Sequence, residues 1–196
     1  MELHMSLADK VTFLRIILAP VFFILYLLEE IYVPALQGRF WVFALLWVLF
    51  IVIEFSDWVD GIIARRRNQV SDFGKLFDPF ADTLVRISYF LCFVFTRILP
   101  VIPLLVILFR EFGILFLRTL MMKKGIAMGA RKGGKLKAVC YMLTGLACLC
   151  SVTLMRLGFL DLMFFFRYTA FILFILSMVI AVLSFIDYFI VYLKTG

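Results

Sequence analysis

Apolar runs about 20 residues long, each bounded by charge, glycine or proline, recur along this chain and leave few folds open to it. They fall at roughly 13–30, 40–56, 79–98, 101–122, 136–155 and 166–193. A hydrocarbon core about 30 Å thick takes roughly 20 mostly apolar residues per helical crossing, and a helix satisfies every backbone polar group within itself. The chain is 65% hydrophobic, well above the roughly 45–50% of soluble domains. The expectation is an all-α integral membrane protein: six transmembrane helices in a single membrane domain over residues 1–196, with no separate soluble domain. Nothing near the start has the charged region, short apolar core and small-residue cleavage site of a signal peptide, so the first run is expected to stay as a helix.

The formal net charge of +7 does not point to nucleic acid, because nearly all basic residues flank apolar runs. The connections 57–78 and 118–137 hold Arg65, Arg66, Arg67, Lys75, Arg118, Lys123, Lys124, Arg131, Lys132, Lys135 and Lys137, whereas 31–39, 98–100 and 156–165 hold few. The positive-inside rule then puts both termini and both basic connections in the cytoplasm, facing anionic membrane lipids. Leu7 to Arg15 mixes Asp9, Lys10 and Arg15 with Leu7, Val11, Phe13 and Leu14, which suits a juxtamembrane amphipathic segment or, equally, a substrate contact. Pro20 is expected to kink the first span by removing a backbone donor. Cys92, Cys140, Cys148 and Cys150 lie inside apolar stretches, show no metal-ligand spacing with the sole histidine, His4, and read as packing residues.

The chemistry concentrates after the second run. Asp57 and Asp60 are three residues apart and Asp78 and Asp82 four apart, so on helices each pair shares a face, and a turn carrying Asn68, Ser71 and Gly74 can bring the two faces together. Four carboxylates in a poorly solvated pocket repel one another, and a divalent cation relieves this while leaving them ionised. An all-oxygen ligand set selects Mg²⁺, Mn²⁺ or Ca²⁺ over zinc or copper, and four carboxylates can hold two such ions as a clamp on phosphoryl oxygens. Arg65 can grip a phosphate, and Gly61 has no side chain to obstruct one. One such aspartate alone reads as a solvated helix-end charge. Four at this spacing, joined to Gly61, Ala64, Arg65 and Gly74, read as a site, with Trp58 as an interfacial anchor. Arg86, one turn beyond Asp82, reads as a charge balance or as a group holding Asp82 ionised.

These residues match D-x-x-D-G-x-x-A-R-x8-G-x3-D-x3-D at every fixed position, and on them the chain resembles the CDP-alcohol phosphotransferase family. The resemblance implies a six-helix membrane fold, a homodimer, and a two-metal site facing the cytoplasm, with Mg²⁺ or Mn²⁺ as cofactor. It implies that Asp57, Asp60 and Asp78 are metal ligands, that Asp82 is both ligand and the base for the acceptor's proton, and that Gly61, Arg65 and Ser71 lie along the CDP moiety.

Arg110 and Arg118 are eight residues apart on the fourth run, broadly on one side, and an arginine inside so apolar a segment is a functional candidate by default. With Lys135 in Gly133-Gly134-Lys135 they read as an acceptor-phosphate site converging toward the carboxylates, whereas Lys123, Lys124 and Lys132 read as topology signals. A phosphate on the acceptor points to glycerol 3-phosphate. The wider pattern Thr12-x-x-Arg15-x4-Pro20, Asp57-Trp58, Asp78-Pro79-x-Ala81-Asp82, Arg110-Glu111 and Gly134-Lys135-x-Lys137 is most similar to the branch of the family that makes phosphatidylglycerophosphate. That similarity implies transfer of a phosphatidyl group from CDP-diacylglycerol to glycerol 3-phosphate with release of CMP, in a multi-pass protein of a bacterial inner or plasma membrane. Asp9, Thr83 and Ala138 stand where that branch usually has Asn, Lys and Thr, which keeps inositol phosphate, serine and choline-like acceptors as alternatives. A cation carrier would spread its acids along several spans, and here they cluster at one end.

Overall fold

The structure, a computed structural model, describes residues 7–31, 40–67, 72–125 and 132–194. Among them the elements are six helices: α1 (Leu7–Ile31), α2 (Phe40–Arg67), α3 (Asp72–Phe95), α4 (Val101–Lys123), α5 (Lys132–Leu157) and α6 (Leu160–Lys194). Five of them contain a whole expected apolar run, whereas α3 starts ahead of the run 79–98 and stops at Phe95, short of its end; most helices extend past their run on one side or both, because backbone hydrogen bonding continues where apolarity ends. The stretch Leu7–Arg15 is helical and runs without a break into α1, and Pro20 lies on the exposed side of that helix without ending it. Gly74 sits in the first turn of α3, not in the connecting turn expected of it. Among the described residues three helices are long and apolar enough to cross a membrane, over Lys10–Ile31, Leu136–Leu157 and Leu160–Lys194, and Trp41–Ser56 is a shorter apolar segment. The chain divides into two compact units, Met1–Cys92 and Phe93–Gly196.

In the first unit α1 packs against α2. The buried residues of α1 are Thr12, Arg15, Ala19, Phe22, Tyr26 and Glu29, at alternating steps of three and four that make one helical stripe. Its exposed positions include Phe13, Ile17, Ile24, Leu28 and Ile31. Polar groups inside and hydrocarbon outside invert the pattern of a soluble helix, and this suits a helix whose solvent is lipid. On α2 the buried set is Val42, Leu46, Leu49, Phe50 and Ile53, and on α3 it is Ala81, Thr83, Val85, Tyr89, Phe90 and Cys92. Tyr89 ties two of these helices: its ring meets Phe50 edge-on at 5.8 Å, and its hydroxyl donates to Glu54 Oε1 at 3.2 Å.

The second unit begins with a tight turn into α4. Arg97 adopts φ 57°, and the amides of Ile98 and Leu99 both donate to the Phe93 carbonyl. Arg167 Nη2 on α6 reaches the Arg97 carbonyl at 2.8 Å. Both α4 and α5 pack against α6. Close approach depends on small residues: Ala170, Ser177, Ala181 and Ser184 are buried on α6, and Ala147, Cys148 and Ser151 on α5. Where α4 meets α6, a Cβ on Gly113 would lie 2.8 Å from Phe185 Cε2. Gly158 (φ 81°) closes α5, with the Phe159 amide donating to Leu154 O at 3.0 Å. Hydroxyls in these apolar helices are satisfied locally, as Thr144 on Cys140 O at 2.7 Å and Thr153 on Leu149 O at 2.8 Å. Cys92, Cys140 and Cys148 are buried and Cys150 is partly buried, all four as thiols outside any disulfide.

Candidate active site

Two of the four aspartates, Asp78 and Asp82, lie one turn apart near the start of α3, and both are held from α1. Thr12 donates its hydroxyl to Asp78 Oδ1 at 2.7 Å. Arg15, one turn further along α1, donates Nη1 to Asp82 Oδ1 at 2.6 Å, and its Nη2 lies 3.5 Å from Thr12 Oγ1. The i,i+3 pair on α1 thus meets the i,i+4 pair on α3 as two rungs of a ladder. Arg15 is 2% exposed, and the Asp82 side chain is 26% exposed. The Thr12 contact on Asp78 is thus a hydroxyl donor, and the Arg15 contact on Asp82 is a buried guanidinium donor.

Asp57, Asp60, Gly61 and Arg65 belong to the C-terminal part of α2, with the two acids three positions apart on one helix. Their side chains lie outside the described residues, and Ser71 lies outside them altogether. Of the expected acidic cluster, Asp78 and Asp82 are thus the members whose contacts can be traced.

The second unit contains a separate buried ionic group. Arg110 donates Nε to the Ala181 carbonyl at 3.0 Å, Nη2 to Ser184 Oγ at 3.0 Å, and Nη1 to both oxygens of Glu111 at 3.0 and 3.1 Å. Glu111 Oε1 also accepts from Lys137 Nζ and from the Tyr141 hydroxyl at 3.1 Å. Side-chain exposure is 5% for Arg110, 10% for Glu111 and 8% for Lys137. Glu111 thereby joins α4 to α5, and Arg110 joins α4 to α6. Two turns beyond Arg110, Arg118 packs its guanidinium over the Tyr188 ring at 5.6 Å and donates Nη2 to the Tyr188 hydroxyl at 3.3 Å. Its Nε is buried with no acceptor among the described residues. The Lys135 side chain lies outside the described residues.

Three participants were not given roles from sequence: Thr12 and Arg15 as partners of the aspartates, and Glu111 as the hub of the second group. The signal for the first two is their position. Thr12 and Arg15 are polar residues in register with Ala19, Phe22 and Tyr26, so the stripe that buries α1 must bury them as well. Glu111 adjoins an arginine inside an apolar run, where an acid needs a cation within reach.

Apolar helices with polar groups turned inward make this a helical membrane protein. The chain belongs to the CDP-alcohol phosphatidyltransferase family, whose profile matches residues 5–186. Among its relatives, a CDP-diacylglycerol–glycerol-3-phosphate 3-phosphatidyltransferase of Treponema pallidum is 42% identical over 142 residues, covering 70% of this chain and 65% of the relative. Enzymes of the same name from Bacillus subtilis and Rickettsia prowazekii are 34% and 30% identical, covering 67% and 72% of this chain and 70% and 74% of their own lengths. The chain thus spans about two thirds of the length of the Treponema protein.

Proposed function

We propose that this protein transfers a phosphatidyl group from CDP-diacylglycerol to glycerol 3-phosphate, giving phosphatidylglycerophosphate and CMP. The observation that carries the reading is the ladder of Thr12 on Asp78 and Arg15 on Asp82, which sets two residues of α1 against two aspartates of the motif. Relatives at 30–42% identity bear the name of this reaction, and that supports the choice of acceptor.

In this reading the acceptor hydroxyl oxygen attacks the phosphorus that carries the diacylglycerol. The bond from that phosphorus to the CMP oxygen breaks, CMP leaves, and the hydroxyl proton passes to Asp82. The donor set fits a hard divalent cation, since every acid of the motif offers oxygen and Asp78 and Asp82 are one turn apart on α3. Asp57, Asp60, Asp78 and Asp82 would hold Mg²⁺ or Mn²⁺, two ions in all, whose chemistry is to neutralise the diphosphate and the departing CMP. Gly61, Arg65 and Ser71 lie along the CDP group.

Arg110, Arg118 and Lys135 are proposed to bind the acceptor phosphate, and of the two arginines the geometry favours Arg118. Every nitrogen of Arg110 already donates to Ala181, Ser184 or Glu111, whereas Arg118 keeps a buried Nε–H without an acceptor among the described residues. The reading further has six membrane crossings, both termini in the cytoplasm, and a homodimer. Purified protein with CDP-diacylglycerol, Mg²⁺ and a panel of acceptors tests it. Release of CMP with glycerol 3-phosphate is expected. Release only with serine, inositol phosphate or a choline-like alcohol would overturn the acceptor and keep the family chemistry.

A further inference from the structure

We infer that the seam between α4 and α6 ends in a binding site for an anionic membrane lipid, whose phosphate lies beside Lys124 and whose acyl chain follows a column of rings on α6. The two helices run side by side in one direction, since Arg110, Gly113, Arg118 and Lys124 of α4 meet Ser184, Phe185, Tyr188 and Tyr192 of α6 in that order. Tyr188 is buried against Arg118. Phe185, Phe189 and Tyr192 recur at steps of four and three and make a separate stripe. Their rings stack in sequence, Phe185 on Phe189 at 6.3 Å and 16°, and Phe189 on Tyr192 at 6.5 Å and 26°. Phe189 is 44% exposed, and its two neighbours in the column are partly exposed. Gly113, where a Cβ would fall 2.8 Å from Phe185, lets the inner end of the column sit against α4. From Phe185 to Tyr192 the column rises about 10 Å, a flat apolar wall suited to a hydrocarbon chain.

The column ends at a cation. Lys124 Nζ lies over the Tyr192 ring, 5.2 Å from its centroid. The backbone there is fixed as well: the Lys124 and Gly125 amides donate to Met121 O and Met122 O at 3.0 and 2.9 Å, and Gly125 (φ 74°) takes the left-handed conformation that ends a helix. Lys123 and Lys124 are both exposed, and neither forms an ion pair among the described residues. Asp187 of α6 is two residues from Phe185 and two from Phe189, which turns it to the opposite side of the helix from the rings. Two ammonium groups at the mouth of an apolar wall, on a helix long enough to cross a membrane, match the order of an anionic lipid, with phosphate at the surface and chain below. A zwitterionic lipid brings its own cation to the same place and gains less. Free phosphate would leave the wall uncovered.

The test places the purified full chain in nanodiscs that contain a trace of phosphatidylglycerol or of phosphatidylcholine with a photoreactive group on the acyl chain. The readout is labelling of the peptide that spans Phe185–Tyr192, so it stands apart from the phosphatidyl-transfer reading and from whichever acceptor the enzyme takes. Phosphatidylglycerol is expected to label this peptide about fivefold more than phosphatidylcholine does. Lys124→Gln should remove most of that preference, Lys124→Arg should keep it, and Phe189→Ala should lower labelling by both lipids. Lys10→Gln removes an exposed cation of α1 and should keep the preference. Equal labelling by the two lipids in the unaltered protein, or labelling by neither, would overturn the inference. So would an undiminished preference in Lys124→Gln or an equal loss in Lys10→Gln, which would make the effect one of general charge.

Discussion

Asp82 carries the heaviest demand in this account, because one carboxylate must sit beside a buried arginine and still take a proton. Asp82→Asn removes the basic oxygen at nearly constant shape, and CMP release should fall by about 10²- to 10⁴-fold while Mn²⁺ still binds. A loss of less than about threefold would move the base elsewhere. Arg118 makes a second demand. Its Nε is buried without an acceptor among the described residues, while Nη2 donates to the Tyr188 hydroxyl. Arg118→Ala should raise the KM for glycerol 3-phosphate by about tenfold or more with the KM for CDP-diacylglycerol little changed, and initial rates at varied acceptor concentration measure it. Asp78 and Asp82 were legible in the sequence because four acids at fixed spacing are hard to place in an apolar chain otherwise. Their partners were not, since pairing across 66 or 67 residues leaves no local trace. Arg110 shows the reverse case: its position inside an apolar run was legible, but its bonds to Glu111, Ser184 and Ala181 depend on how α6 packs.

Each apolar run became a helix, and the places where the helices outran them follow from what a span of hydrocarbon does and does not specify. Apolarity marks the part that meets lipid, whereas backbone hydrogen bonding decides where the helix stops. For that reason α2 continues to Arg67, through Asp57 and Asp60, and α3 takes in Gly74 and Asp78. Contacts between helices were less legible, because small residues permit close approach without naming the partner. At Gly113 the partner is Phe185 of α6, and Gly113→Leu should lower stability by about 1–3 kcal/mol. Thermal unfolding in detergent measures this, and adding Phe185→Ala should restore part of the loss. At Glu111 one carboxylate serves two cations. Glu111→Gln would leave Arg110 and Lys137 buried without their counter-charge, and about 3–5 kcal/mol of stability should go with it, a loss the same unfolding experiment detects.

For the whole molecule, the basic connections and the apolar helices together predict an orientation. Lys123 and Lys124 are exposed at the end of α4, in the connection assigned to the cytoplasm. A membrane-impermeant amine reagent should modify them in inside-out vesicles and leave them unmodified in intact cells, and the reverse pattern would invert the topology. The family profile covers 5–186, from α1 to most of α6; the family was legible from the motif, and the proposed acceptor rests on partial similarity. The most direct test of the central claim follows radiolabelled glycerol 3-phosphate into lipid. Purified protein supplied with CDP-diacylglycerol and Mg²⁺ should move the label into the organic phase as phosphatidylglycerophosphate, one CMP being released for each molecule formed. Label that stays in water while CMP is released would contradict the account.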